Sequence, residues 1–239
     1  MISNLFIENL SRKLQSTELN IRREYIQNLF LSYFYRHPES DKIYFKGGTA
    51  LRVIYKSPRF SEDLDFSSTA TTINKIEDIV IETIKEVERE GIIIDIKESK
   101  KTSEGYLAII NFLLHSHEID IQLEISQRKV KNMGEVVTVA NDFIPPYTIM
   151  ALTQEQIIDG KIQALLDRQK ARDFYDLYYI LRANLLSPNK KDVLNKVLNL
   201  LSKQNIDFEK ELKMFLPKNH WAIIKNFKAI LTQEIRRVV

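Results

Sequence analysis

Cysteine is absent from the 239 residues of this chain. That absence excludes disulfide bonds, thiolate zinc sites and a cysteine nucleophile, and it is typical of proteins in a reducing cytosol. Glycine and proline are scarce, at six residues each, which excludes a low-complexity or disordered chain. No run of about 18 apolar residues occurs, so no membrane span is predicted. The first ten residues lack the pattern of a secretion signal, and we therefore expect a cytoplasmic location.

An excess of charge of one sign is also missing. Lys and Arg number 35 and Asp and Glu number 32, and the resulting net charge of +3 is by itself weak support for nucleic-acid binding. The hydrophobic share of 44% is ordinary for a globular protein. A chain of this length holds one large domain or two small ones, and neither an internal repeat nor a long linker marks a boundary.

Hydrophobic periodicity predicts an α+β fold, in which a small mixed sheet is flanked by helices. The first forty residues are predicted to be helical, with Ser16 or Thr17 as an N-cap. Strands are predicted over 42–45, 63–66, 92–97, 106–113 and 118–126, and helices over 49–55 and 73–90. From Thr148 on, helices are predicted over 161–182, 192–201, 208–215 and 221–239. We expect a core region over 1–145 and a helical region over 146–239.

Large apolar side chains repeat with helical spacing in the C-terminal helices, with Trp221 and Phe227 among them. This spacing predicts the core of a helical bundle, and the alternative is a surface that anchors a partner.

Two features near residue 50 point to a site for metal and phosphate. The first predicted strand runs into Gly47 and Gly48, where the backbone can approach a ligand closely and the following helix offers free N–H groups to an anion. On the next predicted strand, period 2 places Asp63 and Asp65 on one face and their apolar neighbours on the other. Mg²⁺ binds one or two carboxylates together with substrate phosphates. Each feature alone is most often a turn or a solvated face, but together they predict a metal–phosphate site.

The predicted strand over 118–126 offers a third carboxylate. Its even positions are polar and its odd positions are apolar, so Asp120 and Glu124 share a face. Either residue could complete the metal site, or both could lie on the surface of an edge strand.

The predicted helix over 161–182 carries a polar stripe. At about 100° per residue, Lys161, Arg168, Arg172 and Asp176 fall within about 80° of one another if the helix is unbroken. Three cations with one acid suit a triphosphate, because arginine grips phosphate in a bidentate manner and lysine acts as a point charge. The alternative is an internal set of salt bridges, in which Arg172 pairs with Asp176 at i,i+4.

Three blocks of the sequence occur in one order and spacing. They are Lys46-Gly47-Gly48-Thr49-Ala50-Leu51, then Arg59-Phe60-Ser61-Glu62-Asp63-Leu64-Asp65-Phe66, then Lys161-x-x-Ala164-Leu165-x-x-Arg168-x-x-x-Arg172-Asp173-x-x-Asp176-Leu177. Over roughly residues 20–185, this arrangement resembles the AbiEii/AbiGii toxin family of nucleotidyltransferases. Members of that family are the toxin halves of bacterial toxin–antitoxin and abortive-infection systems.

The resemblance implies a nucleotidyltransferase fold of the DNA polymerase β type with a helical C-terminal half. It implies transfer of a nucleoside monophosphate from an NTP with Mg²⁺ or Mn²⁺, in some relatives to the 3′ end of tRNA, which blocks translation. It also implies a cognate antitoxin as a partner.

By position, the resemblance implies roles for individual residues. The implied catalytic residues are Asp63, Asp65, Lys161 and, as a further acid, Asp173 or Asp176. The implied metal ligands are Asp63 and Asp65, with Glu124 near the middle strand of the family. The implied nucleotide- and phosphate-binding residues are Lys46, Gly47, Gly48, Thr49, Arg59, Ser61, Arg168 and Arg172.

The sequence departs from the family at Gly160 and in the region from about Ser187 on, which matches no pattern of the family and is expected to bind the acceptor or an antitoxin. It also leaves other functions open. Many relatives have Glu where this chain has Gly160, and the glycine weakens the predicted helix start. A metal nuclease is one alternative, because Asp95, Glu98 and Lys100 have an acid–acid–lysine spacing, but it leaves the glycine turn unexplained. A non-catalytic RNA- or protein-binding module on the same fold is another, although such a module would be free to lose its carboxylates.

An RNA acceptor predicts a basic surface, whose affinity for phosphates falls steeply with salt. Short basic pairs occur along the chain, and the alternative is an ordinary solvated surface. The pairs are Arg12–Lys13, Arg22–Arg23, Lys129–Lys131, Lys190–Lys191 and Arg236–Arg237.

Overall fold

The computed structural model describes residues 1–69, 71–127 and 134–239, and the chain forms two compact units. Unit 1 consists of Met1–Lys56 and Phe60–Thr153, and unit 2 consists of Ser57–Arg59 and Gln154–Val239. Within the described ranges, no helix has the length and apolar composition that crossing a membrane requires.

Unit 1 combines helices with a sheet. Its helices are α1 (Asn4–Leu14), α2 (Glu18–Phe34), α3 (Gly47–Val53) and α4 (Ile73–Glu88). Its strands are β1 (Ile43–Lys46), β2 (Leu64–Ser68), β3 (Ile93–Thr102), β4 (Gly105–Leu114), β5 (His117–Gln127), β6 (Glu135–Val139) and β7 (Tyr147–Ala151).

The seven strands form one mixed sheet in the order β3-β4-β5-β2-β1-β7-β6. β2 runs parallel to β5 and β1 runs parallel to β7, whereas the other neighbours are antiparallel. The three strands β5, β2 and β1 therefore lie side by side within the sheet, and they carry the candidate residues Lys46, Asp65 and Glu124.

The apolar core of unit 1 covers one face of these strands. Phe34 of α2 lies 5.2 Å from Phe66 of β2 between ring centroids, and Phe66 lies 5.4 Å from Phe45 of β1. All three rings are fully buried. Because side chains alternate along a strand, burial of Phe66 on this face directs Asp65 to the opposite face.

Unit 2 is helical in its described part. Its helices are α5 (Gln154–Arg168), α6 (Ala171–Arg182), α7 (Lys191–Lys203), α8 (Phe208–Leu212), α9 (Trp221–Lys225) and α10 (Phe227–Val238). In their core, Phe227 lies 4.8 Å from Phe208 and 5.8 Å from Tyr175. Phe227 is buried in this core and Trp221 packs against it partly buried, so the predicted bundle core is confirmed.

The α+β fold class is confirmed, and the strands predicted over 92–97, 106–113 and 118–126 are present as β3, β4 and β5. The N-cap of α2 is Thr17, whose side chain accepts the Asn20 N–H. The prediction of a mostly helical chain from Thr148 is wrong at its start, because Tyr147–Ala151 forms β7. Strand β6 was also not predicted. Apolar residues stand next to each other in both segments, so the alternation that marks a half-buried strand is missing.

The prediction of a single helix over 161–182 is wrong. The chain leaves the helix at Gln169, whose φ is 52°, and α6 begins after an extended Lys170. The Lys170 N–H donates to the Asp173 carboxylate at 3.1 Å, which caps the new helix. A lysine at the N-cap hides the usual capping signature, so the only signal in the sequence is an acid three residues later.

Helix α5 begins earlier than predicted, at Gln154. Gly160 therefore lies inside the helix and does not weaken its start. The helix predicted over 221–239 is divided at Asn226 into α9 and α10.

Candidate active site

The first sequence block spans the junction of β1 and α3, from the last residue of the strand into the helix. Gly47 has a φ of +85°, a left-handed conformation that other residues rarely adopt. A Cβ atom at this position would lie 2.0 Å from Asp65 Oδ2. The glycine backbone thus packs directly against the Asp65 carboxylate, and both the turn and this contact require glycine. Gly48 follows as a buried residue of α3.

Three charged residues stand in one row across β1, β2 and β5. Asp65 is the register partner of Lys46 on one side and of Glu124 on the other. Register partners on neighbouring strands share a face, so the three side chains lie opposite the apolar core. Lys46 Nζ donates to Ser126 Oγ at 2.8 Å, two positions beyond Glu124. We call Lys46, Asp65, Glu124 and Ser126 the carboxylate face.

Asp63 immediately precedes the strand on which it was predicted, because β2 begins at Leu64. The Asp63 carbonyl accepts the Thr49 hydroxyl at 2.5 Å, and Thr49 is 1% exposed. The resemblance implied that Thr49 binds phosphate. In the structure its hydroxyl instead holds the backbone of Asp63.

The segment before Asp63 is fixed by α2. Gln27 Nε2 donates at 3.0 Å to the carbonyl of Ser61 and at 3.0 Å to that of Glu62. Ser61 is partly buried beside these bonds. The backbone that leads to Asp65 is therefore held from both α2 and α3.

The carboxylate face suits a divalent cation. Within the described part of the chain, the carboxylates of Asp65 and Glu124 make neither a hydrogen bond nor an ion pair, although adjacent like charges destabilise a sheet. Mg²⁺ prefers such oxygen donors and completes its shell with substrate phosphates and water. No group of three or more acidic or histidine side chains among the described residues forms a full metal cage. The donor set therefore fits an ion shared with a phosphate-bearing substrate.

Of the two alternatives for the third carboxylate, Glu124 is the one beside Asp65. Asp120 lies four residues earlier, about 13 Å along the strand. Its carboxylate accepts Lys97 Nζ at 2.7 and 2.9 Å and Asn111 Nδ2 at 2.7 Å. The hydrogen bond from Lys97 lowers the pKa of Asp120, which has partners of its own.

The residues of the nuclease alternative form an ordinary surface set. A β-bulge between Ile96 and Glu98 shifts the register of β3. Lys100 Nζ lies 2.5 Å from Glu98 Oε1, so these two charges balance each other, and Asp95 is exposed. This set lacks the unpaired, register-matched carboxylates of the carboxylate face.

In unit 2, one buried carboxylate binds two cations. Arg59 donates from Nε to Asp176 Oδ1 at 2.7 Å and from Nη2 to Oδ2 at 2.9 Å, and Lys161 Nζ donates to Oδ2 at 2.7 Å. Arg59, Lys161 and Asp176 are 4%, 9% and 1% exposed. Burial raises the pKa of Asp176, but the charges of Arg59 and Lys161 outweigh it and lower the pKa to about 2. We call these three residues, together with Arg172 one helical turn before Asp176 on α6, the cation cluster.

The predicted polar stripe is replaced by contacts between α5 and α6. The predicted pair of Arg172 with Asp176 is absent. Arg172 makes no hydrogen bond or ion pair with any described residue, and its Nε is buried without a partner. Arg168 donates three hydrogen bonds to Asp173 at 2.7–3.1 Å. Asp173 is 1% exposed and also caps α6, so its carboxylate is fully engaged inside unit 2.

Sequence reasoning missed the link from Lys46 to Ser126 and the link from Arg59 to Asp176. Ser126 had a weak signal, because it continues the polar positions of β5 beyond Glu124. No pattern could join Arg59 to Asp176, which lie 117 residues apart in the chain.

Most of the predicted basic pairs are committed to ion pairs or buried. Arg22 is 2% exposed, and Arg23 pairs with Glu62. The other pairings are Arg12 with Glu8, Lys13 with Asp142, Lys190 with Glu155 and Asp159, and Arg237 with Glu234. Arg236 is exposed. Lys129, Lys131 and the Lys191 side chain lie outside the described residues.

Comparisons with known proteins give matches to one family and to several solved structures. The family model of the nucleotidyl transferase AbiEii toxin, from type IV toxin–antitoxin systems, matches residues 29–235. Among solved structures, the chain is similar to JHP933 from Helicobacter pylori, with a TM-score of 0.67 and 23% identity over 93% of each chain. It is also similar to a candidate nucleotidyltransferase from H. pylori, with a TM-score of 0.69 and 24% identity over 93% of this chain and 95% of that chain.

A third similar structure is MenT4, a nucleotidyltransferase toxin from Mycobacterium tuberculosis. Its TM-score is 0.65 and its identity is 15%, over 100% of this chain and 93% of that chain. No curated protein matches the chain. The structural likeness confirms the predicted nucleotidyltransferase fold.

Proposed function

Because this chain belongs to the AbiEii family of nucleotidyltransferase toxins, we propose that it transfers a nucleoside monophosphate from an NTP to RNA, such as the 3′ end of tRNA. A tRNA whose 3′ end is blocked is no longer aminoacylated, so translation stops. NTPs and tRNA are cytoplasmic, which is where we expect the chain to act. A cognate antitoxin then keeps it silent in its own cell.

One observation carries this proposal: the carboxylates of the register partners Asp65 and Glu124 make no ion pair with any described residue, and Asp65 is in contact with Gly47. Asp65 and Glu124, together with Asp63, are the residues that fit Mg²⁺ or Mn²⁺. When bound, such an ion neutralises triphosphate charge and orients the reacting groups. The backbone at Gly47 and Gly48 is proposed to bind the phosphates, because glycine has no side chain that would keep them away.

Lys161 is proposed to neutralise the charge that develops on the leaving pyrophosphate. Its ammonium is 9% exposed and is held by Asp176, so its place is set before substrate binds. A preorganised charge of this kind contributes several kcal/mol to the transition state. Asp176 and Asp173 have structural roles in this proposal. Asp176 holds the Lys161 ammonium, and Asp173 caps the start of α6.

The distribution of charge supports an RNA acceptor. Unit 2 contains 17 Lys and Arg residues and 10 Asp and Glu residues, a net charge of +7. Unit 1 contains 18 basic and 22 acidic residues, a net charge of −4. A phosphate backbone is attracted to the basic unit, and its affinity depends on salt.

The test is an incubation of the chain with labelled NTPs, Mg²⁺ and total RNA, followed by a denaturing gel. Label on an RNA of tRNA length is the expected result. Shortened RNA without label would identify a metal nuclease. RNA that binds the chain but is neither labelled nor cut would identify a binding module.

A further inference from the structure

The cation cluster contains more positive charge than its acid balances. Arg59, Lys161 and Arg172 are three cations with the single carboxylate of Asp176, a net charge of +2. Arg168 and Asp173 balance each other nearby on the same helices. Charges that are removed from water require a partner, so the surplus favours an anionic ligand.

The two arginines of the cluster differ in their hydrogen bonding. Arg59 is 4% exposed and places two of its nitrogens on the two oxygens of Asp176, a bidentate arrangement. Arg172 lies one helical turn before Asp176 on α6, is partly buried and has no partner among the described residues. Its buried Nε has lost water without gaining an acceptor, which is costly unless a ligand supplies one.

We propose, as a refinement that depends on the proposed function, that Arg172 binds the polyphosphate of the NTP and that Arg59 positions Lys161 through Asp176. Asp176 Oδ2 accepts from both Arg59 Nη2 and Lys161 Nζ. The bidentate grip of Arg59 sets the plane of this carboxylate, and the carboxylate sets the place of the ammonium. Arg59 is thus a positioning residue and not the phosphate ligand that the sequence resemblance implies.

Inorganic tripolyphosphate tests the role of Arg172, because its binding needs neither an acceptor nor transfer. The Kd is measured by isothermal titration calorimetry on the full chain at constant ionic strength, together with the melting temperature. Arg172→Met is expected to weaken binding about tenfold, as loss of one charge-assisted hydrogen bond does. Its melting temperature should be unchanged or higher.

Arg182→Met is the matched control, because it removes the same charge from the same helix. The Arg182 side chain is 57% exposed and pairs with Glu234. Its loss should change the Kd by less than about twofold.

The positioning role of Arg59 is tested by the double variant Arg59→Met with Asp176→Asn. This variant removes one cation and one anion, so the net charge of the cluster is kept, and replacing a buried ion pair by neutral groups is often tolerated. The tripolyphosphate Kd should rise about fivefold because Lys161 is no longer held. Arg59→Lys keeps a cation at Asp176 and should show a smaller loss.

Wild-type affinity in Arg172→Met, or in the folded double variant, would overturn the proposal. So would an Arg59→Lys variant that loses as much affinity as Arg172→Met at an unchanged melting temperature, since Arg59 would then contact the anion itself. If the double variant does not fold, the comparison of Arg59→Lys with Arg172→Met still decides whether Arg59 positions Lys161 or contacts the anion itself. Expected tripolyphosphate results in a chain that labels no RNA would uphold this assignment and refute the proposed transfer.

Discussion

At the scale of single residues, Gly47 and Asp65 constrain each other. Gly47 supplies a left-handed φ and has no side chain, and the Asp65 carboxylate occupies the space where a Cβ atom would be. Two constraints therefore require glycine at this position, the positive φ and the close contact with the Asp65 carboxylate. This contact fixes Asp65 on the side where a phosphate can approach the backbone.

Gly47→Ala should lower nucleotidyl transfer by about a hundredfold or more, the effect of displacing a reacting group by about 1 Å. The added Cβ would displace the Asp65 carboxylate. Gly91→Ala is the matched control, since Gly91 has a φ of +83° but nothing within 4 Å of a Cβ atom. Gly91→Ala should lose about 1 kcal/mol of stability from backbone strain, measured by urea denaturation, and Gly47→Ala should lose more because its Cβ atom would also clash with Asp65. Equal activity in both variants would contradict the role of the contact.

Asp176 predicts a pH dependence of stability. Its pKa is lowered from 3.8 to about 2 in the folded chain, so it contributes about 2 kcal/mol above pH 4 that is lost as the pH falls toward 2. Asp176→Asn leaves two buried cations unbalanced and should cost roughly 3 kcal/mol at pH 7. The difference in unfolding free energy between wild type and variant should shrink from pH 5 to pH 2. A difference that is constant over this range would be inconsistent with an ionised Asp176.

At the scale of elements, the sequence predicted the features that depend on the alternation of polar and apolar residues, and it missed those that depend on contacts between distant segments. Asp65 was placed on the polar face of its strand because Leu64 and Phe66 are apolar, and both are buried. The break at Gln169 was missed because Lys170 is not a capping residue type. The sequence could not choose between Asp120 and Glu124, since they share a face, and only the pairing of β5 with β2 decides.

Gly160→Ala tests where α5 begins. Gly160 is exposed inside the helix, and a Cβ atom there would meet nothing within 4 Å. Alanine should raise the unfolding free energy by about 0.5–1 kcal/mol, the difference in helix propensity. Urea denaturation at pH 7 measures this change. A destabilised variant would argue that the helix does not extend through this position.

At the scale of the whole molecule, the two units carry net charges of opposite sign. The basic unit 2 attracts a polyanion, whereas the acidic unit 1 carries the carboxylate face. On unit 2, Lys225 and Arg236 are exposed and have no ion pair with the described residues. The charges that hold RNA are therefore expected on unit 2.

Reversing the charges of Lys225 and Arg236 to Glu should weaken tRNA binding at least about tenfold and reduce its salt dependence. The same reversal at Lys42 and Lys101, which are exposed on unit 1, is the control and should have a smaller effect. Filter binding between about 50 and 200 mM salt measures both quantities. Affinity that is independent of salt would favour an acceptor other than RNA.

The central claim is that the carboxylate face holds the metal–nucleotide complex for transfer to RNA. It is tested most directly by the rate at which labelled NTP is incorporated into RNA by Asp65→Asn and by Asp120→Asn. Both variants carry the same substitution on the same sheet face, but only Asp65 is the register partner of Glu124 and is in contact with Gly47. Asp65→Asn, with a melting temperature no lower than wild type, is expected to incorporate no label, whereas Asp120→Asn should retain most of the wild-type rate. Wild-type incorporation by folded Asp65→Asn would contradict this claim.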